Sequence, residues 1–136
     1  VVVSNYHYSR MKKSFWHSDD NTTRYSMHPD YELVSKIGFT QYVQLCVTNK
    51  LHHRFAMMPQ SHWIDDITDY LIRFESLDKD FAKVCQQIGI GPVLLEKINP
   101  TKHDHYSKYY DDTSIELVAN YFSRDIEQFG YRFERE

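Results

Sequence analysis

Apolar positions recur at helical period in several stretches of this chain, and they alternate with polar ones in two shorter runs. The clearest helical stripe is Ile115, Val118, Ala119, Phe122, Ile126 and Phe129, which falls on one side of a predicted helix. Thr113 and Glu116 stand at capping-box spacing at its start, and Gly130 is placed to stop it. A second stripe, Leu77, Phe81, Val84, Cys85 and Ile88, predicts a helix with Ser76 as its N-cap and Gly89 as the left-handed residue at its end. A third helix is predicted from about Thr40 to Thr48, with Phe39, Tyr42, Val43, Cys46 and Val47 as its buried side and Gly38 breaking the segment before it. Tyr70–Phe74 alternates over a length typical of a strand, and Val1-Val2-Val3 reads as a second strand. A tyrosine-rich turn then leads into a short helix near Arg10–His17. Ser18–Asp30 is polar and reads as a loop. Tyr131-Arg132-Phe133 is an apolar tail able to dock on the core, ahead of a polar, frayed Glu134–Glu136. A strand followed by a helix points to an α/β layer, and 136 residues make one domain, 1–136.

Composition narrows the partners. Sixteen basic side chains face nineteen acidic ones, so no global field favours nucleic acid or a membrane surface. An anionic ligand would need a local cluster, and two are present: Arg10 with Lys12 and Lys13, and Lys97 with Lys102 and His103. Cys46 and Cys85 both lie on apolar helical faces and read as buried thiols. No CxxC pair, signal peptide, repeat or membrane-length apolar run is present. The compartment stays open, leaning towards a soluble, cytoplasmic setting. Eleven tyrosines and eight histidines suit sugar or nucleotide contacts, because a ring face packs while a polar edge bonds. They suit a half-buried sheet-and-helix interface equally well.

Several runs occur in an order that resembles a known family. Arg73-Phe74-Glu75-Ser76-Leu77 with Asp80-Phe81, then Tyr109-Tyr110-Asp111, then Arg124-Asp125 with Phe129-Gly130-Tyr131 are similar to the carboxyl-terminal half of carbohydrate-type sulfotransferases. Phe39–Val47 followed by Met58-Pro59-Gln60-Ser61 resembles a middle element of the same enzymes. The family transfers a sulfonate from 3′-phosphoadenosine 5′-phosphosulfate (PAPS) to a hydroxyl. The resemblance implies the C-terminal part of a P-loop-like sulfotransferase fold, mostly α-helical with a few short parallel strands. It also implies PAPS as co-substrate, a carbohydrate-like or other hydroxyl acceptor, and no metal.

The donor-binding element of that family is a strand ending in Arg-Asn-Pro-Tyr-Asp-Arg, then two residues and a Ser. Its first Arg and its Ser hold the 3′-phosphate. Laid on this chain without gaps, Asn5 stands at the first Arg, Tyr8 at the Tyr, Arg10 at the second Arg and Lys13 at the Ser. Asn5 brings a hydrogen bond without charge, and Lys13 brings a mobile point charge in place of a hydroxyl. Ser14, one residue on, points about 100° away on a helix. Lys102, in a loop that folds over the nucleotide in the family, is the second basic contact. The resemblance therefore assigns cofactor-binding roles to Asn5, Arg10, Lys13, Ser14 and Lys102.

No catalytic residue is assigned. The family's phosphosulfate turn and its base both precede the donor element, and none of the glycines at 38, 89, 91 and 130 opens such a turn. The expectation is thus a partial sulfotransferase whose chain alone does not turn over. The alternative is a nucleotide- or glycan-binding module that keeps the sulfotransferase scaffold without the chemistry.

Other polar candidates are weaker. His17 caps a short helix or approaches an acceptor, while His52, His53, Arg54, His62 and Trp63 flank the acceptor-side Pro59-Gln60. His103 and His105 have the spacing of a metal pair lacking a third ligand, with Asp104 and Asp111 near in sequence, and no metal site is expected. Arg73 with Glu75, and Arg124 with Asp125, read as structural pairs. Val1–Ser4 and Tyr70–Phe74, as open sheet edges, predict a homo-oligomer.

Overall fold

Val2–Ser9 forms a helix (α1) where the valine run predicts a strand. The computed structural model describes residues 1–11, 14–17, 23–52, 57–91, 93–96 and 101–136, with backbone alone for 14–17 and 23–26. Val3, Tyr6 and Ser9, three residues apart, are the buried positions of α1. The tyrosine ring packs edge-on against Phe39 at 5.4 Å and beside Tyr42 at 5.2 Å. Burial of that face outweighs the modest strand preference of valine, which is a weak prior against tertiary context.

The predicted helix near Arg10–His17 is also replaced. Ser14–His17 (β1) pairs antiparallel with Thr23–Ser26 (β2), with Phe15 opposite Tyr25 and Trp16 opposite Arg24. Aromatic and β-branched residue types in both runs favour this ladder. Tyr31–Val34 forms a single helical turn (α2), and Phe39–Val47 (α3) follows Gly38 as the spacing predicts. Phe39, Tyr42, Val43 and Cys46 are its buried stripe.

Towards the C-terminus Asp112–Tyr121 (α5) and Ser123–Phe129 (α6) are helical. One continuous helix is predicted there, but the chain breaks at Phe122, within a run of middling helix formers, Asn120 to Ser123. The reciprocal cap is Asp111 with Ser114, not Thr113 with Glu116. Asp111 Oδ1 accepts the Ser114 amide at 2.7 Å, and Ser114 Oγ accepts the Asp111 amide at 2.9 Å. Asp111 Oδ2 also accepts from Thr40 Oγ1 at 2.6 Å, tying the start of α5 to the start of α3. These bonds hold the Asp111 carboxyl down at about 2.

The C-terminal residues are held rather than frayed. Phe133 packs on Tyr106 and Tyr110 at 5.5 and 5.3 Å, and the Glu134 amide donates to the Tyr106 hydroxyl at 3.0 Å.

The chain divides into two compact units, one of Val1–Trp63 with Thr101–Glu136 and the other of Ile64–Pro100. The first unit holds the main core, where Val3, Tyr6, Val34, Phe39, Tyr42 and Val43 cluster with Cys46, Leu51 and Met57. The second contains Leu77–Gln87 (α4), preceded by a 3-10 turn at Phe74–Ser76. Gly89, at φ 75°, ends α4 as predicted. The Ile90 amide reaches back to the Cys85 carbonyl and the Gly89 amide to that of Gln86, which satisfies two carbonyls of the last turn. Ser76 does not cap the helix backbone; its hydroxyl bonds the Asp80 carboxylate instead. Cys46 and Cys85 are both free and buried, as their positions predict.

The expected α/β fold with parallel strands is overturned. Among the described residues the one sheet is the two-stranded antiparallel β1–β2 pair, and the architecture is otherwise helical. A parallel strand needs a neighbour to complete its ladder. Val1–Val3 is taken up by the start of α1, and Tyr70–Arg73 has no paired strand beside it. The self-association predicted through sheet edges at Val1–Ser4 and Tyr70–Phe74 loses its structural basis for the same reason.

Candidate functional site

The segment His28-Pro29-Asp30 turns the chain into α2 and buries two ionisable side chains, His28 at 3 % and Asp30 at 4 % exposure. Proline favours such a turn, and Asp at the residue before a helix is a favoured N-cap type. Here the carboxylate does not cap α2. Asp30 Oδ1 lies 2.7 Å from His52 Nδ1, and both carboxylate oxygens accept the His52 backbone amide at 3.1–3.2 Å. A carboxylate can only accept from the ring, so His52 carries its proton on Nδ1 and keeps Nε2 as the basic nitrogen when neutral. The His52 side chain is 74 % exposed. The Asp30 amide donates to His28 Nδ1 at 3.1 Å, which places the neutral His28 proton on Nε2.

This cluster forms one wall of a cavity of about 140 Å³ within the first unit. Asn5, Tyr8 and Ser9 of α1 line a second side, and Tyr42 and Cys46 of α3 a third. Burial, and then the neighbouring Cys46 thiol, raise the Tyr42 hydroxyl well above the ordinary tyrosine range. Burial likewise pushes the Cys46 thiol up to about 11. A thiol so raised stays protonated at neutral pH, in keeping with its place in the cavity wall.

Size limits the ligand. Sites for drug-sized molecules run to about 300–1,000 Å³, whereas a cavity near 150 Å³ holds a molecule such as benzene. The enclosed space matches a compact ligand in size and is smaller than a nucleoside bisphosphate. Among the described residues its lining offers hydroxyl, amide, imidazole and carboxylate edges, and no Lys or Arg.

The residues assigned to donor binding fall in different places. Asn5 lines the cavity, and its Nδ2 lies 3.6 Å from Met57 Sδ. Arg10 is turned onto the protein itself. Its Nη1 donates to the Tyr6 hydroxyl at 2.7 Å, to the Val34 carbonyl at 3.0 Å and to the Ile37 carbonyl at 3.1 Å, with the guanidinium 4.9 Å from the Tyr6 ring centre. The carbonyls it bonds are left by the short α2 turn and the bend after it, so Arg10 ties α1 to that segment. Lys102 is exposed. Lys13 lies outside the described residues, and of Ser14 the backbone alone is described, opposite Ser26. Of the three whose side chains are described, Asn5 alone lines the cavity.

Arg10→Met should lower the stability of the first unit by about 1–2 kcal/mol, since three hydrogen bonds to a charged donor are lost, while the Ile37 carbonyl keeps the Tyr6 hydroxyl. Urea unfolding followed by circular dichroism measures this. An unchanged midpoint would separate Arg10 from any role in holding α1.

Of the weaker candidates, the His62 ring packs edge-on to Trp63 at 5.5 Å. His105 Nδ1 lies 2.9 Å from Ser107 Oγ. Among the described residues no group of three or more His, Cys, Asp or Glu side chains is placed to hold a metal ion. No described helix is long and apolar enough to cross a membrane. Asp125, paired with Arg124 on sequence grounds, instead accepts the backbone amides of Gln60 and Ser61 at 2.6 and 2.9 Å.

Sequence reasoning passed over Asp30 and His28 because both sit in a stretch read as a polar loop. The available signal was the His-Pro-Asp run directly before a short apolar helical turn. No protein-family model, curated protein or solved structure matches the chain.

Proposed function

We propose that the first unit is a binding module for a compact, hydroxyl-bearing ligand of carbohydrate-like chemistry, seated in the cavity between α1, α3 and the His28–Asp30 segment. The observation that carries this reading is the convergence of Asn5, Tyr8, Ser9, His28, Asp30 and Tyr42 on one space of about 140 Å³. A hydroxyl both donates and accepts, so it can bond a carboxylate on one side and an amide or phenol on the other. The buried Asp30 carboxylate disfavours an anion in the same space. An aromatic wall at Tyr8 supplies apolar contact to a ring of C–H groups.

The order of the sulfotransferase-like motifs supports a second reading, a part in sulfonate transfer from PAPS to a carbohydrate-like hydroxyl. On that reading the same cavity takes the acceptor, and the donor is held elsewhere.

Amide and methyl NMR spectra of the full chain, titrated with monosaccharides and small polyols, test the binding module. Shifts centred on Asn5, Ser9, Asp30 and Cys46 are expected, lost in Ser9→Leu, which fills the space from α1. A parallel titration with 3′-phosphoadenosine 5′-phosphate against AMP addresses sulfonate transfer, which requires the former to bind better. Spectra unmoved by every hydroxylic probe overturn the cavity as a ligand site. Equal response to the two nucleotides removes support from the transferase reading.

A further inference from the structure

His7 on α1 and His103, in the segment before the Tyr106–Lys108 turn, lie ring over ring with centroids 5.4 Å apart and planes 18° apart. Tyr109 and Tyr6 close on the His7 ring edge-on, at 5.0 and 5.4 Å. His7 Nε2 is buried and has no hydrogen-bond partner among the described residues. A buried polar atom without a partner is uncommon in a folded protein and carries a desolvation cost.

His103 is fixed from two sides. Its Nδ1 donates to the Asp104 carbonyl at 2.8 Å, and its Nε2 lies 3.4 Å from Ser4 Oγ, one turn before His7 on α1. The Asp104 amide in turn donates to the Tyr109 hydroxyl at 3.1 Å. The cations near the pair are Arg10, one turn further along α1, and Lys102, which adjoins His103 in sequence. The phenols of Tyr6 and Tyr109 are neutral partners, and Asp104 presents its backbone to the pair.

We propose that the His7–His103 stack is an acid-released clasp, holding α1 against the Thr101–His105 segment while both rings are neutral. A proton added at His7 Nε2 would meet an enclosed surface with no acceptor, beside a second imidazole and the Arg10 guanidinium. Burial first, then His103 and Arg10, accordingly lower the His7 pKa below its ordinary value of 6.5. An opened α1 therefore binds more protons than a docked one between that value and the lowered one. By linkage the clasp contributes fully above about pH 6.5 and is lost as pH falls below it. Because α1 carries Asn5, Tyr8 and Ser9, its release loosens one wall of the cavity. The clasp itself does not depend on what the cavity holds.

Hydrogen exchange of the full chain between pH 5 and 8, read by NMR at α1 and α3 amides, tests the clasp. After correction for intrinsic rates, α1 protection should fall relative to α3 as pH drops below about 6.5, by at most about tenfold per pH unit, the limit for one proton. His7→Phe keeps a ring in the stack without a titrating group and should hold α1 protected down to pH 5. A wild-type α1-to-α3 ratio that stays constant with pH overturns the proposal, as does an unaltered acid loss in His7→Phe. Should that variant fail to fold, His103→Asn retains a donor to the Asp104 carbonyl and removes the second ionisable ring. The His7 ring must then titrate at higher pH, and an unmoved titration overturns the clasp.

Discussion

Phe39→Ala should destabilise the first unit by about 3–5 kcal/mol, the usual cost of emptying a buried aromatic site. Phe39 stands where three parts of the chain meet. Its ring is 8 % exposed and packs against Tyr6 of α1 at 5.4 Å. It also packs against Tyr110 at 4.8 Å and Tyr109 at 5.9 Å, both just before α5. Removing it opens a void that neither the start of α3 nor the capped start of α5 can collapse into without breaking the Thr40–Asp111 bond. Domains of this size are stable by only about 5–15 kcal/mol, so about a fifth or more of the total is at stake. Phe39→Leu keeps most of the volume and loses the edge-to-face contacts, and should cost about 1.5 kcal/mol. Urea titrations read by circular dichroism give both values, with m unchanged if the unfolded ensemble is unaltered. Equal midpoints for the wild type and Phe39→Ala would remove Phe39 from the centre of the core.

Asp125→Ala should cost about 3 kcal/mol. The Asp125 carboxylate is 6 % exposed and accepts the amides of Gln60 and Ser61, the first residues of a 3-10 turn far away in sequence. The Ser61 amide, left buried and unpaired, costs about 1–3 kcal/mol and the part-buried Gln60 amide less, and charge assistance makes the lost bonds the stronger kind. Asp125→Asn keeps one acceptor oxygen and should cost about 1 kcal/mol. The neighbouring Arg124 is exposed, and Arg124→Ala should stay within about 0.5 kcal/mol of wild type. The three variants compared by urea unfolding separate a turn-binding carboxylate from a local Arg–Asp pair. If Arg124→Ala and Asp125→Ala cost the same, the pair reading stands and the turn-capping account fails.

These two positions mark what local pattern can and cannot reveal. Phe39 was legible because it begins a stripe with Tyr42, Val43 and Cys46, and helical period states which side is buried. The helix Leu77–Gln87, its stop at Gly89 and the stop at Gly130 were legible for the same local reasons. Asp125 was assigned to its sequence neighbour because nothing in the sequence says that Gln60 and Ser61 arrive beside it.

Strands were read least well. Val1–Val3 and Tyr70–Phe74 have strand-like composition, but a strand exists only when another supplies the facing amides and carbonyls. One run became a helix, and the other has no ladder among the described residues. The β1–β2 pair formed instead in a stretch read as helix and loop.

The chain's own sequence determined its longer helices, their glycine stops, the buried thiols and the lack of a one-signed charge field, since each follows from residue type and spacing within a few turns. Tertiary structure alone decided that Arg10 serves backbone carbonyls, that Asp30 meets His52, and that His7 stacks on His103. The physical reason is one of range. A helix is closed by bonds four residues apart, whereas a cavity, a carboxylate–imidazole hydrogen bond and a ring stack are made by segments whose meeting depends on how the whole core packs.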